Sequence, residues 1–375
     1  MSAEIPTGAL SAQLEERIGG RAVKAAVFTT FSFEPLFFEE NVLPLLFEES
    51  FSTVSRLLRC QLEEALITGP PVAVYYDAGA LVTTAGSSAA LDFRKVPVFR
   101  RTGCFHPKVI LLLLEREPAE AKRAEGAATA LLLGVGSANL TRSGWWENLE
   151  SFAFLEVGSE EKSSLRADLR EFLRILRNEA ERVGEPEALA PIRRFLDREV
   201  KRFEFRTRSK VFQPRLFFGQ QALPQFLAKK LLLSKDRFNL EILSPYFEES
   251  DAGPLSELVD ALAPREVRLL EPQPEVQGAG ASGAFIESVA RLGAKVGWGR
   301  LPETLLSRKK SGVEVTRRFA HAKVLRLWSQ AEGREIVAIG SANLTRAAFG
   351  PTKAGNLECM VLIENEGQAA RRRLL

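Results

Sequence analysis

Histidine is almost missing from this chain: His106 and His321 are the only two in 375 residues. Any imidazole chemistry therefore has to involve one or both of them. Cysteine is scarce too. Cys60, Cys104 and Cys359 are far apart, odd in number and form no CxxC pair, which excludes a disulfide framework and a thiol metal site. Reduced thiols and a cytoplasmic location are the expected state. No run approaches the roughly 18 apolar residues that cross a bilayer, and the longest, residues 109–114, fits a buried strand. Residues 1–20 lack the basic start and apolar core of a signal peptide. Charge excess is lacking as well. Lys and Arg total 51 against 48 Asp and Glu, so affinity for a polyanion would have to come from local clusters. With 45% hydrophobic and 26% charged residues the chain reads as globular, long enough for one large domain or two ordinary ones.

What the chain does contain is itself, twice. Residues 136–142 read GSANLTR, and so do residues 340–346. Upstream of each lies an HxK, His106-Pro107-Lys108 and His321-Ala322-Lys323; downstream lies an Asn-Leu-Glu ending at Glu150 or Glu358. Three signatures in one order point to internal duplication. The flanks agree: apolar segments 25–30 and 240–243 run into Phe33-Glu34 and Phe247-Glu248. Further strands are predicted at 72–76, 96–99, 131–135, 267–270, 295–298 and 336–339, with helical spacing between them at Leu255, Leu258, Val259 and Leu262. The class is α/β with a mostly parallel or mixed sheet. Apolar positions Leu165, Leu169, Phe172, Leu173 and Leu176, then Leu189, Ile192, Leu196 and Val200, predict two connecting helices. The halves are placed at residues 20–205 and 206–375, with residues 115–128 as a surface excursion of the first.

Side chains two apart on a strand share a face. If each HxK lies on the strand that follows it, its imidazole and ammonium stand together at a cleft. The glycine of each GSAN is expected to permit a tight turn, with Ser and Asn offering donors beside the Lys. One repeat supplies half a phosphate site, and two facing across a pseudo-twofold axis supply a whole one. A neutral imidazole can attack phosphorus, a protonated one can serve the leaving oxygen, and two Lys with two Asn can hold the non-bridging oxygens.

Each half resembles the HxK...GSxN signature of the phospholipase D superfamily, and the second repeat with Glu358 is similar to the tyrosyl-DNA phosphodiesterase branch. The Asp that usually follows HxK after four residues is replaced by Leu113 and Trp328, as that branch also lacks it. The resemblance implies two pseudo-twofold-related lobes, each an αβα sandwich around a mixed sheet, and a covalent phosphohistidine with no metal or other cofactor. It implies His106 as nucleophile and His321 as acid/base. Lys108, Lys323, Asn139 and Asn343 would bind phosphate, and Glu150 and Glu358 would orient the histidines.

Ser137 and Ser341 are assigned to substrate or to capping the next segment. Cys104, two residues before His106, reads as a small buried residue. Trp145 and Trp146 could stack a base or fill the core. Arg100-Arg101 and Arg317-Arg318 precede the two HxK motifs, and basic runs occur at 201–210 and 308–310. Arg101 and Arg318 are the candidate substrate contacts among them. The expected function is a metal-independent phosphodiesterase on nucleic acid, DNA rather than RNA, either alone or within a DNA-processing or defence complex. A lipid-headgroup phospholipase and a non-catalytic nucleic-acid-binding module are the alternatives, and no membrane association is expected.

Overall fold

In the computed structural model, strand β1 (Ala22–Thr30) carries parallel β2 (Val72–Asp77) on one side and antiparallel β4 (Val109–Glu115) on the other. The structure describes residues 8–48, 50–82, 91–115, 128–204, 212–230, 238–271, 280–309, 315–351, 353 and 355–365. Residues 116–127 of the excursion expected at 115–128, residues 205–210 of the basic run at 201–210 and Lys310 of the run at 308–310 lie outside them. Adding β3 (Arg94–Val98), β5 (Thr129–Gly136) and β6 (Phe152–Gly158) gives the order β3-β2-β1-β4-β5-β6. β1 to β3 pair in parallel, and β4 to β6 are antiparallel. β4 reads VILLLLE because both its faces are buried: Val109, Leu111 and Leu113 enter one core, Ile110, Leu112 and Leu114 another.

After a two-stranded ribbon of β7 (Lys162–Ser163) and β8 (Lys201–Arg202), the second half builds the same sheet again. Its strands are β9 (Arg215–Phe217), β10 (Asn239–Leu243), β11 (Glu266–Glu271), β12 (Val296–Arg300), β15 (Val324–Ser329), β16 (Arg334–Gly340) and β17 (Met360–Glu364), with a hairpin of β13 (Ser307–Lys309) and β14 (Val315–Arg317) set apart. The order β12-β11-β10-β15-β16-β17 repeats that of the first sheet with the same pairing senses, and β9 adds an edge. Duplicated sequence has become duplicated topology. The sequence patterns did not indicate β6 or β17, which close each repeat.

Helices Ala9–Ile18, Pro35–Asn41 and Ser55–Thr68 cover the outer face of the first sheet through Leu10, Leu14, Phe37, Phe38 and Leu62. Leu223–Lys230, Gly253–Leu262 and Gly283–Ala290 do so for the second. The predicted connecting helices are present as Leu165–Glu179 and Leu189–Arg198. Their apolar faces form a third core with the inner face of the first sheet and with Leu216, Cys359 and Val361 of the second. Each fully buried Leu or Phe there contributes roughly 1.5–3 kcal/mol. Asp168 ties the helix pair to the second sheet, accepting from Arg215 at 2.8 and 2.9 Å and from the Leu216 amide at 3.0 Å.

The inner face of the second sheet is different. Arg326, 1% exposed, donates to Glu241 at 2.7 Å and to Glu335 at 3.0 Å. Among the described helices, none is long and apolar enough to cross a membrane.

Candidate active site

The two HxK motifs do not lie on strands. His106 to Lys108 and His321 to Lys323 form the extended segments immediately before β4 and β15. The reason is a competing partner. The His106 amide donates to the Leu357 carbonyl at 2.9 Å, and the Leu357 amide donates to the Cys104 carbonyl at 3.0 Å. Reciprocally, His321 N–H donates to Leu149 at 2.9 Å and Leu149 N–H to Phe319 at 2.8 Å. The Asn-Leu-Glu of each repeat thus pairs with the segment that carries the HxK of the other, and two short backbone bridges, one beside each histidine, stitch the lobes together.

That exchange carries the carboxylates across. Glu358 accepts from His106 Nδ1 at 2.7 Å, and Glu150 meets His321 Nδ1 at 2.9 and 3.0 Å. With Nδ1–H committed to a carboxylate, Nε2 of each ring is the nitrogen left for chemistry. Ser137 and Ser341, assigned above to substrate or capping, instead donate their hydroxyls to Glu150 and Glu358 and accept the amides of Ser151 and Cys359 at 2.9 Å. Fully buried and saturated, they hold the carboxylates. Asn148 and Asn356 donate to the same two carboxylates at 3.2 and 3.0 Å. The glycine of GSAN also has a different reason from the one expected. Gly136 and Gly340 do not have positive φ; a Cβ on either would strike the adjacent strand, 2.5 Å from the Ser151 carbonyl or 2.1 Å from the Cys359 carbonyl.

Burial governs the electrostatics. It drives His106 down to about 4, against the pull of Glu358 and helped by the charges of Lys108 and Lys323. His321 is lowered by burial and by Lys323, against Glu150. Burial also brings Lys108 down to about 8 and Lys323 well below the ordinary lysine range. For Glu150 burial acts upward, but His321, Lys323 and Ser137 together hold it below the usual value. Lys323 acts on His106, and Lys108 on His321, across the lobes.

The lobes are not equivalent in detail. Lys323 Nζ lies 2.8 Å from His321 Nε2 and 2.7 Å from the His321 carbonyl. Lys108 Nζ donates to the His106 carbonyl at 2.9 Å and sits 5.6 Å from the Phe31 ring centre. Asn139 Oδ1 accepts the Ser32 amide at 3.3 Å, whereas Asn343 Oδ1 is buried without a partner. Phe31 packs 5.1 Å from the His106 ring; Phe319 and Tyr246 stand 5.9 and 6.3 Å from that of His321.

No family model matches the chain, and no curated protein matches it in sequence. Solved structures do. The yeast tyrosyl-DNA phosphodiesterase superposes with a TM-score of 0.50 at 12% identity, over 93% of this chain and 84% of that chain. Two mutants of that enzyme give 0.51 at 12% identity, over 96% of this chain and 86% of theirs, and 0.52 at 11% identity, over 93% and 84%. The fold is that of tyrosyl-DNA phosphodiesterase.

Within this phosphodiesterase-like fold the structure gathers His106, His321, Lys108, Lys323, Glu150 and Glu358 into one site, with Asn139 and Asn343 in the following turns. The arginine assignments fare differently. Arg318 is 5% exposed and Arg101 lies on the surface. Arg100 bonds Glu179 at 3.0 Å and Arg317 pairs with Glu303, so neither motif is flanked by an arginine pair free for a polyanion. Trp145 is core, and Trp146 packs against Phe37 and beneath Arg142. The Cys104 thiol is pushed up to about 12, by burial and then by Glu358, and stays protonated. Thr141 and Thr345 accept the amides of Gly144 and Ala348, capping the turns that follow GSAN.

Phe31, Tyr246 and Phe319 escaped the sequence reading, because only one member of each repeat-related pair is aromatic. Glu34 and Glu248 were visible as repeated Phe-Glu flanks; each accepts an amide at 2.9 Å, from Arg142 and Arg346 respectively, and fixes the end of the GSANLT turn.

Proposed function

We propose that this protein is a metal-independent phosphodiesterase of the phospholipase D superfamily that cleaves nucleic acid through a phosphohistidine on His106. The observation that carries the reading is the reciprocal exchange of carboxylates, His106 with Glu358 and His321 with Glu150. Two imidazoles are thereby held in matched tautomers at one cluster of lysines.

The division of labour follows from the difference between the two Nε2 atoms. His106, driven to about 4, is neutral near pH 7 and carries its lone pair on Nε2. It attacks phosphorus, and the P–O bond to the leaving group breaks on the opposite side. Lys323 lies at His321 Nε2 and can supply the proton that His321 passes to the leaving oxygen. Water, deprotonated by His321, then cleaves the P–N bond and restores His106. Lys108, Asn139 and Asn343, with Lys323 until it hands over its proton, offset the charge on the non-bridging oxygens, the largest contribution such a transition state needs. Glu150 and Glu358 stabilise whichever imidazole becomes charged.

The test is hydrolysis in EDTA of labelled single-stranded DNA, duplex DNA, RNA and a phosphatidylcholine analogue, with bis(p-nitrophenyl) phosphate as a general reporter. DNA cleavage supports the reading. Lipid turnover alone, or binding of nucleic acid with no hydrolysis of any diester, overturns it.

A further inference from the structure

The helices over the outer faces of the two sheets differ in what they turn to solvent. On the second lobe the Gly253–Leu262 helix, between β10 and β11, buries Leu255, Leu258 and Leu262, and the residues it exposes are Glu257 and Asp260. On the first lobe the Ser55–Thr68 helix runs between β1 and β2. Among its described side chains Leu62 is the one fully buried, with Leu58 and Leu66 packed partly against the same core. Its outward side is apolar instead. Leu57 is 52% and Ile67 82% exposed, and Val54 at the N-cap is 63% exposed. At 3.6 residues per turn Leu57, Cys60, Glu64 and Ile67 fall on one stripe, opposite Leu58, Leu62 and Leu66. A single exposed leucine is ordinary. Here three of the eight large apolar side chains exposed among the described residues stand on one side of one helix, which marks an interaction surface.

The charges beside the stripe say what covers it. Arg56 stands in the first turn of the helix and Glu63 and Glu64 in the third, all three exposed. Arg56 and Glu64 lie four residues to either side of Cys60, each about 6 Å along the helix axis from it at 1.5 Å per residue. A second copy of the helix, laid antiparallel about a twofold axis at Cys60, therefore brings Arg56 of each copy to Glu64 of the other. The same operation brings Val54 of each copy towards Ile67 of the other. A parallel copy would set arginine against arginine and glutamate against glutamate, which is unfavourable. A surface that complements itself in this way is what a twofold interface requires.

We propose that two copies of this protein form a symmetric dimer through the Ser55–Thr68 helix, packed antiparallel on its copy, with Val54, Leu57 and Ile67 in the contact and an Arg56–Glu64 pair at each end. One helix face is a small contact beside the about 1,200–2,000 Å² of a standard interface, so the association belongs to the micromolar range. No residue of the stripe is part of the histidine site. The dimer and the phosphodiesterase reading therefore stand or fall separately.

The experiment is sedimentation equilibrium of the full-length protein, in reductant, over a dilution series from micromolar towards millimolar. The wild type should move from the mass of one chain towards that of two. Leu57→Glu/Ile67→Glu should raise the dissociation constant of the dimer at least about 100-fold, because each substitution acts twice across the axis. Arg56→Glu and Glu64→Arg should each raise it about 5- to 30-fold, although they change the net charge in opposite directions. Combining the two should return it to within about 3-fold of the wild type, because exchanging both charges restores the antiparallel pairs. A short bismaleimide should link two chains through Cys60, and Cys60→Ser should abolish the linked product. All these positions are exposed, so circular dichroism and thermal melting of the isolated chains should match the wild type. A wild type that stays a single chain at every concentration would overturn the proposal. So would a dimer indifferent to Leu57→Glu/Ile67→Glu, charge variants that the double exchange does not rescue, or the lack of a link through Cys60.

Discussion

Two copies of one sequence pattern have produced two sheets with the same strand order but different inner faces. In the first lobe Val27 and Leu111 lie side by side in an apolar core covered by the connecting helices. In the second, the equivalent pair is Glu241 and Arg326, joined by Glu335. The active site shows the same contrast. Both lobes keep His, Lys, Asn and Glu, while the second has two rings beside its histidine against one in the first, a lysine on Nε2 and a longer approach. Duplication therefore preserves the His, Lys, Asn and Glu of each half, and divergence is concentrated in what surrounds them.

That comparison can be broken at several depths. The largest effect is expected at the histidines. His106→Ala should lower turnover by about 10⁴-fold or more, as loss of a nucleophile does. His321→Ala should cost about 10²–10⁴-fold, and a p-nitrophenyl leaving group, which needs no proton, should recover much of its first step. Equal losses on every substrate would mean that the lobes do not divide the chemistry.

A smaller effect, about 3–5 kcal/mol of stability, is expected for Arg326→Ala, which takes the guanidinium from buried Glu335 and leaves Glu241 with Arg268 at 3.5 Å. Importing the first lobe's apolar character with Glu241→Val, Arg326→Leu and Glu335→Leu together should be neutral or stabilising in chemical denaturation. A triple variant as damaged as the single one would show the ion network to be required where it stands.

The orienting carboxylates come next. Glu358→Gln and Glu150→Gln should each reduce kcat about 10- to 100-fold, the usual range for a group that fixes an imidazole. The smallest effect is in the pH profile. His106, depressed to about 4, is neutral above that value, so the acidic limb of kcat/KM should fall near 4 instead of 6.5. Lys108, at about 8, loses its charge above that value, so an alkaline limb should appear near 8. For stability the sign is the same as for the acidic limb. Between about 4 and 6.5 the unfolded chain takes a proton on this histidine that the folded chain does not, so stability declines as pH falls through that window.

Much of this was legible in the residues. The repeated HxK, GSANLTR and Asn-Leu-Glu gave the duplication and six members of the site, since identical motifs at matching intervals must occupy equivalent places. Three features were not legible. The carboxylate exchange is invisible in sequence, because each Glu lies nearer in the chain to the wrong histidine: Glu150 follows His106 but serves His321. The serines were misassigned because a hydroxyl beside a phosphate-binding Asn can face either way, and burial decided it. The arginine pairs suggested a polyanion track, yet one member of each is paired with a carboxylate, Arg100 with Glu179 and Arg317 with Glu303.

The most direct test of the division between lobes is to trap the covalent intermediate. Wild-type protein and the His321→Ala variant, quenched at alkaline pH during turnover of a p-nitrophenyl diester, should yield one base-stable, acid-labile adduct. Peptide mapping by mass spectrometry should place it on His106. An adduct on His321, or one that persists in His106→Ala, would contradict the account.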